Sequence, residues 1–151
     1  MVERTLLFVK PDGVQRRLVG DIVGRFERKG LKILGLKMMR ISNELAEQHY
    51  GEHKGKKFYD GLVRFVTSGP IVCICLEGFQ AVKCCRDMMG KTFGYDANPG
   101  TIRGDFGTSN QYNLIHGSDS AASAAREIEL YFRADELMTY DMPDQKWMAA
   151  E

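Results

Sequence analysis

The 151 residues match the size of one ordinary domain, and 44% apolar with 27% charged residues is the balance of a globular fold with a core of its own. Its 21 lysines and arginines against 20 aspartates and glutamates leave a net charge of +1, which excludes nucleic-acid binding held by bulk electrostatics. Any anion must be met by a local cluster of cations.

Thr5 to Val9 is an apolar run that predicts the first strand, and Leu18, Val19, Ile22, Val23 and Phe26 recur at helical spacing until Gly30 ends the helix. Leu31 to Ile41 predicts a second strand. Short helical patterns follow at Asn43 to Tyr50 and Phe58 to Val66, and Ser68-Gly69-Pro70 closes that block. Ile71 to Leu76 predicts the third strand and is the longest unbroken apolar run, far short of the roughly 18 residues that span a bilayer. Val82, Cys85 and Met89 mark the buried side of the next helix, which ends near Gly90. From Lys91 to about Tyr112 the chain reads as a loop, longer than the ~12 to 15 residues beyond which such loops usually carry function. Asn113 to His116 predicts a short fourth strand, and Gly117-Ser118-Asp119-Ser120 offers capping side chains. A helical stripe of Ala121, Ala124, Ala125, Ile128 and Phe132 follows, and the tail from Arg133 to Glu151 reads as irregular.

Each half of the chain pairs two strands with a crossover helix. This predicts an α+β fold, a four-stranded antiparallel sheet of the ferredoxin-like (βαββαβ) type with helices covering it. Residues 1–151 read as a single domain whose tail begins at about 133. Met1-Val2-Glu3-Arg4 lacks the apolar stretch of a secretory signal, which predicts a cytoplasmic protein with no membrane partner. The four cysteines show no C-x-x-C spacing and predict buried, reduced thiols.

Several motifs tempt and fail. Gly90-Lys91-Thr92 has the end of a Walker A loop, but Cys85 stands where its first glycine must be. His49, Glu52 and His53 spell the inverted zinc-protease pattern, yet Gly51 inside it weakens the helix and no third ligand is evident. Arg103-Gly104-Asp105 reads as a turn, and the basic Gln15-Arg16-Arg17, Arg25, Arg28 and Lys29 are diluted by Asp21 and Glu27 into solvated helix faces.

Three segments in order carry a stronger signal: Lys10-Pro11-Asp12-Gly13-Val14-Gln15, then Pro99-Gly100-Thr101-Ile102-Arg103-Gly104-Asp105, then Asn113-Leu114-Ile115-His116-Gly117-Ser118-Asp119-Ser120. Together they resemble the nucleoside diphosphate kinase family over essentially the whole chain. The resemblance implies a reversible ping-pong transfer of the γ-phosphate of a nucleoside triphosphate, commonly ATP, to a nucleoside diphosphate through a phosphohistidine on His116. The competing class is a regulatory or nucleic-acid-binding module that keeps the fold without turnover. Retention of His116, Lys10, Arg86, Arg103, Asn113 and Glu127 together favours the enzyme, with nucleic acid not expected as its main partner.

An imidazole with a pKa near ~6.5 is substantially neutral at pH 7, so one ring nitrogen can attack phosphorus without prior deprotonation. The other nitrogen needs an acceptor to aim the ring, and the resemblance gives that role to Glu127. Periodicity leaves Glu127 and Glu129 tied, on opposite flanks of the apolar stripe. Ser118 is, by the same resemblance, a hydrogen-bonding neighbour of Glu127, beside its reading as a helix cap. Lys10, Thr92, Arg86 and Arg103 are placed around the phosphates, with Tyr50 close to the phosphate end. Arginine's planar fork suits phosphate oxygens. Arg86 shares a partly apolar helical face with Val82 and Met89, where a cation needs an anionic partner.

Phe58 is implied as the stacking platform for the base, although the stripe Phe58, Leu62, Phe65, Val66 reads first as core. Asn113 is implied to meet the ribose hydroxyl. Mg²⁺ is implied as the cofactor, held by nucleotide phosphates and water with no protein ligand. The chain departs from the family's usual pattern at Gly107 to Tyr112, where Asn110 replaces a small apolar residue that often covers the base. Arg17 stands where glycine is common, and Phe93-Gly94 alters the loop that joins subunits around a three-fold axis. The tail ending Trp147-Met148-Ala149-Ala150-Glu151 also departs. The resemblance implies a homo-hexamer, a trimer of dimers.

Overall fold

Leu6 and Phe8 turn to one face of the first strand and Leu7 and Val9 to the other, and all four are fully buried. The strand is therefore covered on both faces, which an amphipathic alternation would not require. The computed structural model describes residues 1–148; Ala149, Ala150 and Glu151 at the end of the tail lie outside the described residues.

The strands are β1 (Val2–Val9), β2 (Lys32–Met39), β3 (Ile71–Phe79) and β4 (Ile115–Gly117), ordered β2-β3-β1-β4 with every neighbouring pair antiparallel. Between β1 and β2 run α1 (Pro11–Gln15) and α2 (Val19–Arg28). Between β2 and β3 run α3 (Asn43–Tyr50) and α4 (Tyr59–Val66), and between β3 and β4 run α5 (Ala81–Met89) and α6 (Ile102–Phe106). The last helix is α7 (Ala121–Tyr131). This is the ferredoxin-like α+β sheet that the sequence predicts.

Two apolar clusters sandwich the sheet. Leu6, Phe8, Cys73 and Cys75 meet Tyr50, Phe65 and Tyr131 from α3, α4 and α7 on one face. Leu7, Val9, Ile74 and Leu76 meet Ile22, Phe26, Cys85 and Met89 from α2 and α5 on the other. All four cysteines are free; Cys73, Cys75 and Cys85 are buried, and burial pushes the thiols of Cys73 and Cys75 up to about 12 and about 11. No helix among the described residues is long and apolar enough to cross a membrane.

The structure moves some boundaries. β1 begins at Val2 and β3 runs to Phe79, because the ladder between them continues from Val9 opposite Val72 to Val2 opposite Phe79. The fourth strand is Ile115–Gly117, so His116 sits within it rather than at its end. The loop from Lys91 to Tyr112 contains α6, capped by the Thr101 hydroxyl, which accepts from the Gly104 amide at 3.0 Å. Its two ends meet at paired glycines: a Cβ on Gly94 would lie 2.3 Å from the backbone of Gly107. Arg17 adopts a φ of +59°, a left-handed conformation that glycine takes without steric cost.

Candidate active site

Antiparallel pairing of β1 with β4 sets His116 opposite Phe8, and the imidazole stacks on the phenyl ring at 4.8 Å with the planes 26° apart. α7 crosses β1 on this face, started by Ser120, whose side chain accepts from the Ser123 amide. The buried residues of α7 are Ala124, Glu127 and Tyr131, while Ala121, Ala125 and Glu129 are exposed. Glu127 therefore sits in the middle of the inward face, 3% exposed, and the tie with Glu129 is resolved in its favour.

The Nε2 of His116 hydrogen-bonds Glu127 Oε1, and Nδ1 makes no hydrogen bond among the described residues. A second imidazole, His49 on α3, reaches the same oxygen through its Nε2 at 3.2 Å. The Nδ1 of His49 meets the Tyr131 hydroxyl at 2.6 Å. With the carboxylate accepting from both rings, Tyr131 O–H donates to His49 Nδ1 and each Nε2–H donates to Glu127. These hydrogen bonds fix both tautomers and leave the His116 Nδ1 lone pair free.

His49 was not singled out from the sequence for this role. It appeared there only in the zinc-protease pattern, which the structure dissolves: His49 is buried against Glu127, whereas His53, beyond the end of α3, lies beside exposed Glu52. Its signal was a histidine one position before Tyr50 on an otherwise ordinary helix, too little to act on. The ligand atoms of His49, His116 and Glu127 lie within 4.8 Å of one another, and hydrogen bonds already occupy them.

Burial dominates the electrostatics of the ring. It pulls the His116 pKa down to about 4, with the Glu127 carboxylate opposing the shift, so the imidazole is neutral at pH 7. Burial would raise Glu127, but the two imidazole hydrogen bonds outweigh it and hold the carboxyl down at about 2. Tyr50 stacks on His49 at 4.2 Å, and its ring lies 6.3 Å from that of His116. Its buried hydroxyl has no hydrogen-bond partner among the described residues.

Three cations gather beside the ring. Lys10, 7% exposed at the end of β1, donates to Asn113 Oδ1 at 2.7 Å. Burial, reinforced by the Arg103 charge, lowers its pKa to about 7. Arg103, also buried, donates to the carbonyls of Asn113, Gly90 and Ile115 at 3.1, 3.1 and 2.6 Å. Its pKa falls to about 10 through burial and the charge of Arg86, so it stays protonated. Arg86 is exposed, not set in an apolar face, and reaches the Gly117 carbonyl at 3.2 Å, next to His116.

The remaining expected residues divide. Asn113 donates from Nδ2 to the carbonyl of exposed Thr92 at 3.0 Å, which ties the loop to the strand and leaves a second N–H. Phe58 precedes α4 and is 52% exposed, so it is not core; His53 tilts against its ring at 5.3 Å and the Lys56 ammonium lies 5.8 Å over it. Ser118 is not bonded to Glu127: its hydroxyl donates to the Leu6 carbonyl at 3.3 Å, and Ser120 caps the helix in its place. Asn110 is exposed, whereas Tyr112 meets Phe65 edge-on at 4.9 Å and Gln111 lies over Gly61, so the divergent loop docks on α4.

A nucleoside diphosphate kinase family profile matches residues 3–137. The chain is 58% identical over 147 residues to a nucleoside diphosphate kinase of Pelotomaculum thermopropionicum, covering 97% of this chain and 99% of that protein. An Archaeoglobus fulgidus relative of the same description is 51% identical over 150 residues, covering 99% of both. Among solved structures, a halophilic nucleoside diphosphate kinase of Halobacterium salinarum in complex with CDP superposes with a TM-score of 0.96 at 52% identity, over 99% of this chain and 100% of that one. A Borrelia burgdorferi nucleoside-diphosphate kinase, described as a transition-state mimic with bound vanadate and ADP, reaches 0.93 at 35% identity, over 97% and 96% of the two chains.

Proposed function

Since this chain belongs to the nucleoside diphosphate kinase family and carries out that family's phosphoryl exchange between nucleoside tri- and diphosphates, we propose that it does so in two steps through a phosphohistidine on His116. The observation that carries this reading is the Nε2 contact with Glu127, which presents neutral Nδ1 as the nucleophile. The Nδ1 lone pair forms the P–N bond to the γ-phosphorus, the bond to the β,γ-bridging oxygen breaks, and the nucleoside diphosphate leaves with that electron pair. The ring gains positive charge as the bond forms, and the Glu127 carboxylate stabilises it. Reversal with a second diphosphate returns the phosphoryl group.

Phosphoryl transfer demands alignment and charge stabilisation more than covalent help. Lys10, Arg86 and Arg103 supply cations beside Nδ1, and the N–H groups of Arg103 not spent on carbonyls face that task. Tyr50 and Thr92 border the phosphate end. The approach of phosphate raises the lowered Lys10 pKa and fixes its charge when substrate is present. Phe58 offers a face to any base, and stacking tolerates every base. The second N–H of Asn113 is directed to the ribose hydroxyl.

The residues fit a Mg²⁺ carried by the nucleotide. Glu127 is held by two imidazoles, Asp12 gives Oδ2 to the Leu114 amide while its buried Oδ1 has no partner among the described residues, and three cations stand around the ring to meet the phosphates that carry the metal. The metal would supply charge neutralisation on the β- and γ-phosphates. We further infer a cytoplasmic homo-hexamer, with residues 1–151 one catalytic domain and the tail from about 133 serving assembly. In support, β2 is an edge strand with Leu36 and Met38 exposed.

Incubation with γ-labelled ATP tests the mechanism. The expected product is an acid-labile, alkali-stable label on the protein that chases onto added diphosphate. A normal label on His116→Ala would overturn the assignment.

A further inference from the structure

Leu114 is a buried leucine with a φ of +74°, a region that side-chain-bearing residues enter at a cost and leave unless their surroundings hold them. Its neighbours are Asn113 on one side and the Ile115–His116 segment on the other. The Ile115 amide donates to the Asn113 carbonyl at 2.8 Å, closing a three-residue γ-turn of the rare positive-φ form around Leu114. Relaxation of Leu114 to negative φ would rotate the peptide planes on both sides and carry Asn113 and His116 apart.

The turn is held from three directions. Arg103 takes the carbonyls of Asn113 and Ile115, flanking Leu114 without touching it. The Lys10 amide donates to the Leu114 carbonyl at 2.8 Å. The Leu114 amide donates to Asp12 Oδ2 at 3.1 Å, the one side chain that bonds the Leu114 backbone among the described residues. Asp12 is delivered by α1, whose fit is close: a Cβ on Gly13 would stand 3.0 Å from the Leu114 carbonyl oxygen.

We propose that Asp12 is a positioning residue for the phosphoryl exchange, its carboxylate clamping the Leu114 γ-turn so that His116 and Asn113 are presented to the phosphate cluster together. Asp12 acts through backbone, touching neither nucleotide nor the reacting atoms. Its importance lies in the accepted hydrogen bond rather than in charge. The inference rests on His116 being the nucleophile.

Two substitutions separate geometry from charge. Asp12→Asn keeps an acceptor oxygen at the same reach and loses the charge; Asp12→Glu keeps the charge and displaces the oxygen by one methylene. Quench-flow measurement of phosphohistidine formation at saturating ATP, with the KM for ATP and the thermal midpoint, reads the outcome. Misplacement by about 1 Å can cost on the order of 100-fold in rate. Asp12→Glu is therefore expected to fall about tenfold or more in maximal rate with KM within about threefold, while Asp12→Asn stays within about threefold of wild type. Unchanged rates in both variants overturn the clamp. A loss in Asp12→Asn as large as that in Asp12→Glu, or larger, shows that the neutral acceptor does not suffice and overturns it too, as does a rise in KM at full maximal rate. Asp12→Ala serves as a third variant, and if it does not fold the Asn and Glu pair still decides. Absence of phosphohistidine in the wild type would bring down the parent reading instead, and the clamp with it.

Discussion

His49 and His116 converge on one carboxylate oxygen, Oε1 of Glu127, one ring from α3 and the other from β4. A single buried anion thus orients the nucleophile and is itself oriented by a second imidazole, which in the sequence stands out only as part of a zinc-protease pattern. Glu127→Gln keeps an oxygen acceptor but cannot offset the positive charge that grows on His116 as the P–N bond forms. Its kcat is expected to fall on the order of tenfold to 100-fold with little change in the KM for ATP, since the interaction strengthens only in the transition state. Steady-state kinetics on folded protein check this, and an equal loss in KM alone would count against it.

The pH profile should depart from that of an ordinary histidine enzyme. With the His116 pKa pulled to about 4, acidification through ~6.5 leaves the nucleophile neutral. The lysine moves the other limb. With the Lys10 pKa lowered from 10.5 to about 7, the free enzyme holds the cation below that pH and loses it as pH rises through about 7. We expect kcat/KM, which reports free enzyme, to decline above about pH 7, and kcat, which reports the nucleotide complex, to hold to higher pH because bound phosphate restores the charge. In Lys10→Arg the alkaline decline in kcat/KM should vanish from whatever activity remains. Stability follows the same signs: the depressed pKa values of His116 and Glu127 contribute stability that is lost as pH falls through about 4 and about 2.

Phe58 carries a prediction about binding alone. Its ring is half exposed and precedes α4, so truncation removes little packing. Phe58→Ala should leave the thermal midpoint nearly unchanged, within the ±0.5 kcal/mol or so usual for surface substitutions. The KM for ATP, GTP, CTP and UTP should rise together, by an amount corresponding to ~1 to 3 kcal/mol of lost stacking. A rise confined to one base would show that the position reads base identity.

The architecture was legible because Leu6 to Val9 in β1 and Ile71 to Leu76 in β3 are unbroken apolar runs and glycine and proline punctuate what lies between. The site was legible in the three segments that contain Lys10, Arg103 and His116. What escaped has physical reasons. The stripe on α7 was centred on alanines, which are nearly as content in water as inside, so the true inward face of Ala124, Glu127 and Tyr131 was hidden behind a charged residue at its centre. His49 could not be found by spacing, because its partners Glu127 and Tyr131 belong to another helix. Ser118 and Ser120 compete for one cap, and only the backbone decides between them: Ser118 is drawn to the Leu6 carbonyl and Ser120 is left at the helix start. Leu114 carries no letter that announces a positive φ.

The two arginines of the site should separate under the same mutation. Arg103 uses a planar fork to hold three carbonyls on Gly90, Asn113 and Ile115, all deep in the structure. A lysine ammonium cannot span those positions, and a buried carbonyl left without a donor costs ~1 to 3 kcal/mol. Arg103→Lys is therefore expected to lose both kcat and stability, with a midpoint about 2 to 4 °C lower for each kcal/mol in a domain of this size. Arg86 is exposed, with one contact to the Gly117 carbonyl, so Arg86→Lys should lose activity at a nearly constant midpoint. Differential scanning calorimetry beside a coupled assay distinguishes the pair. An Arg103→Lys protein that melts with the wild type would mean that the backbone around His116 holds itself, and that the guanidinium serves the phosphates alone.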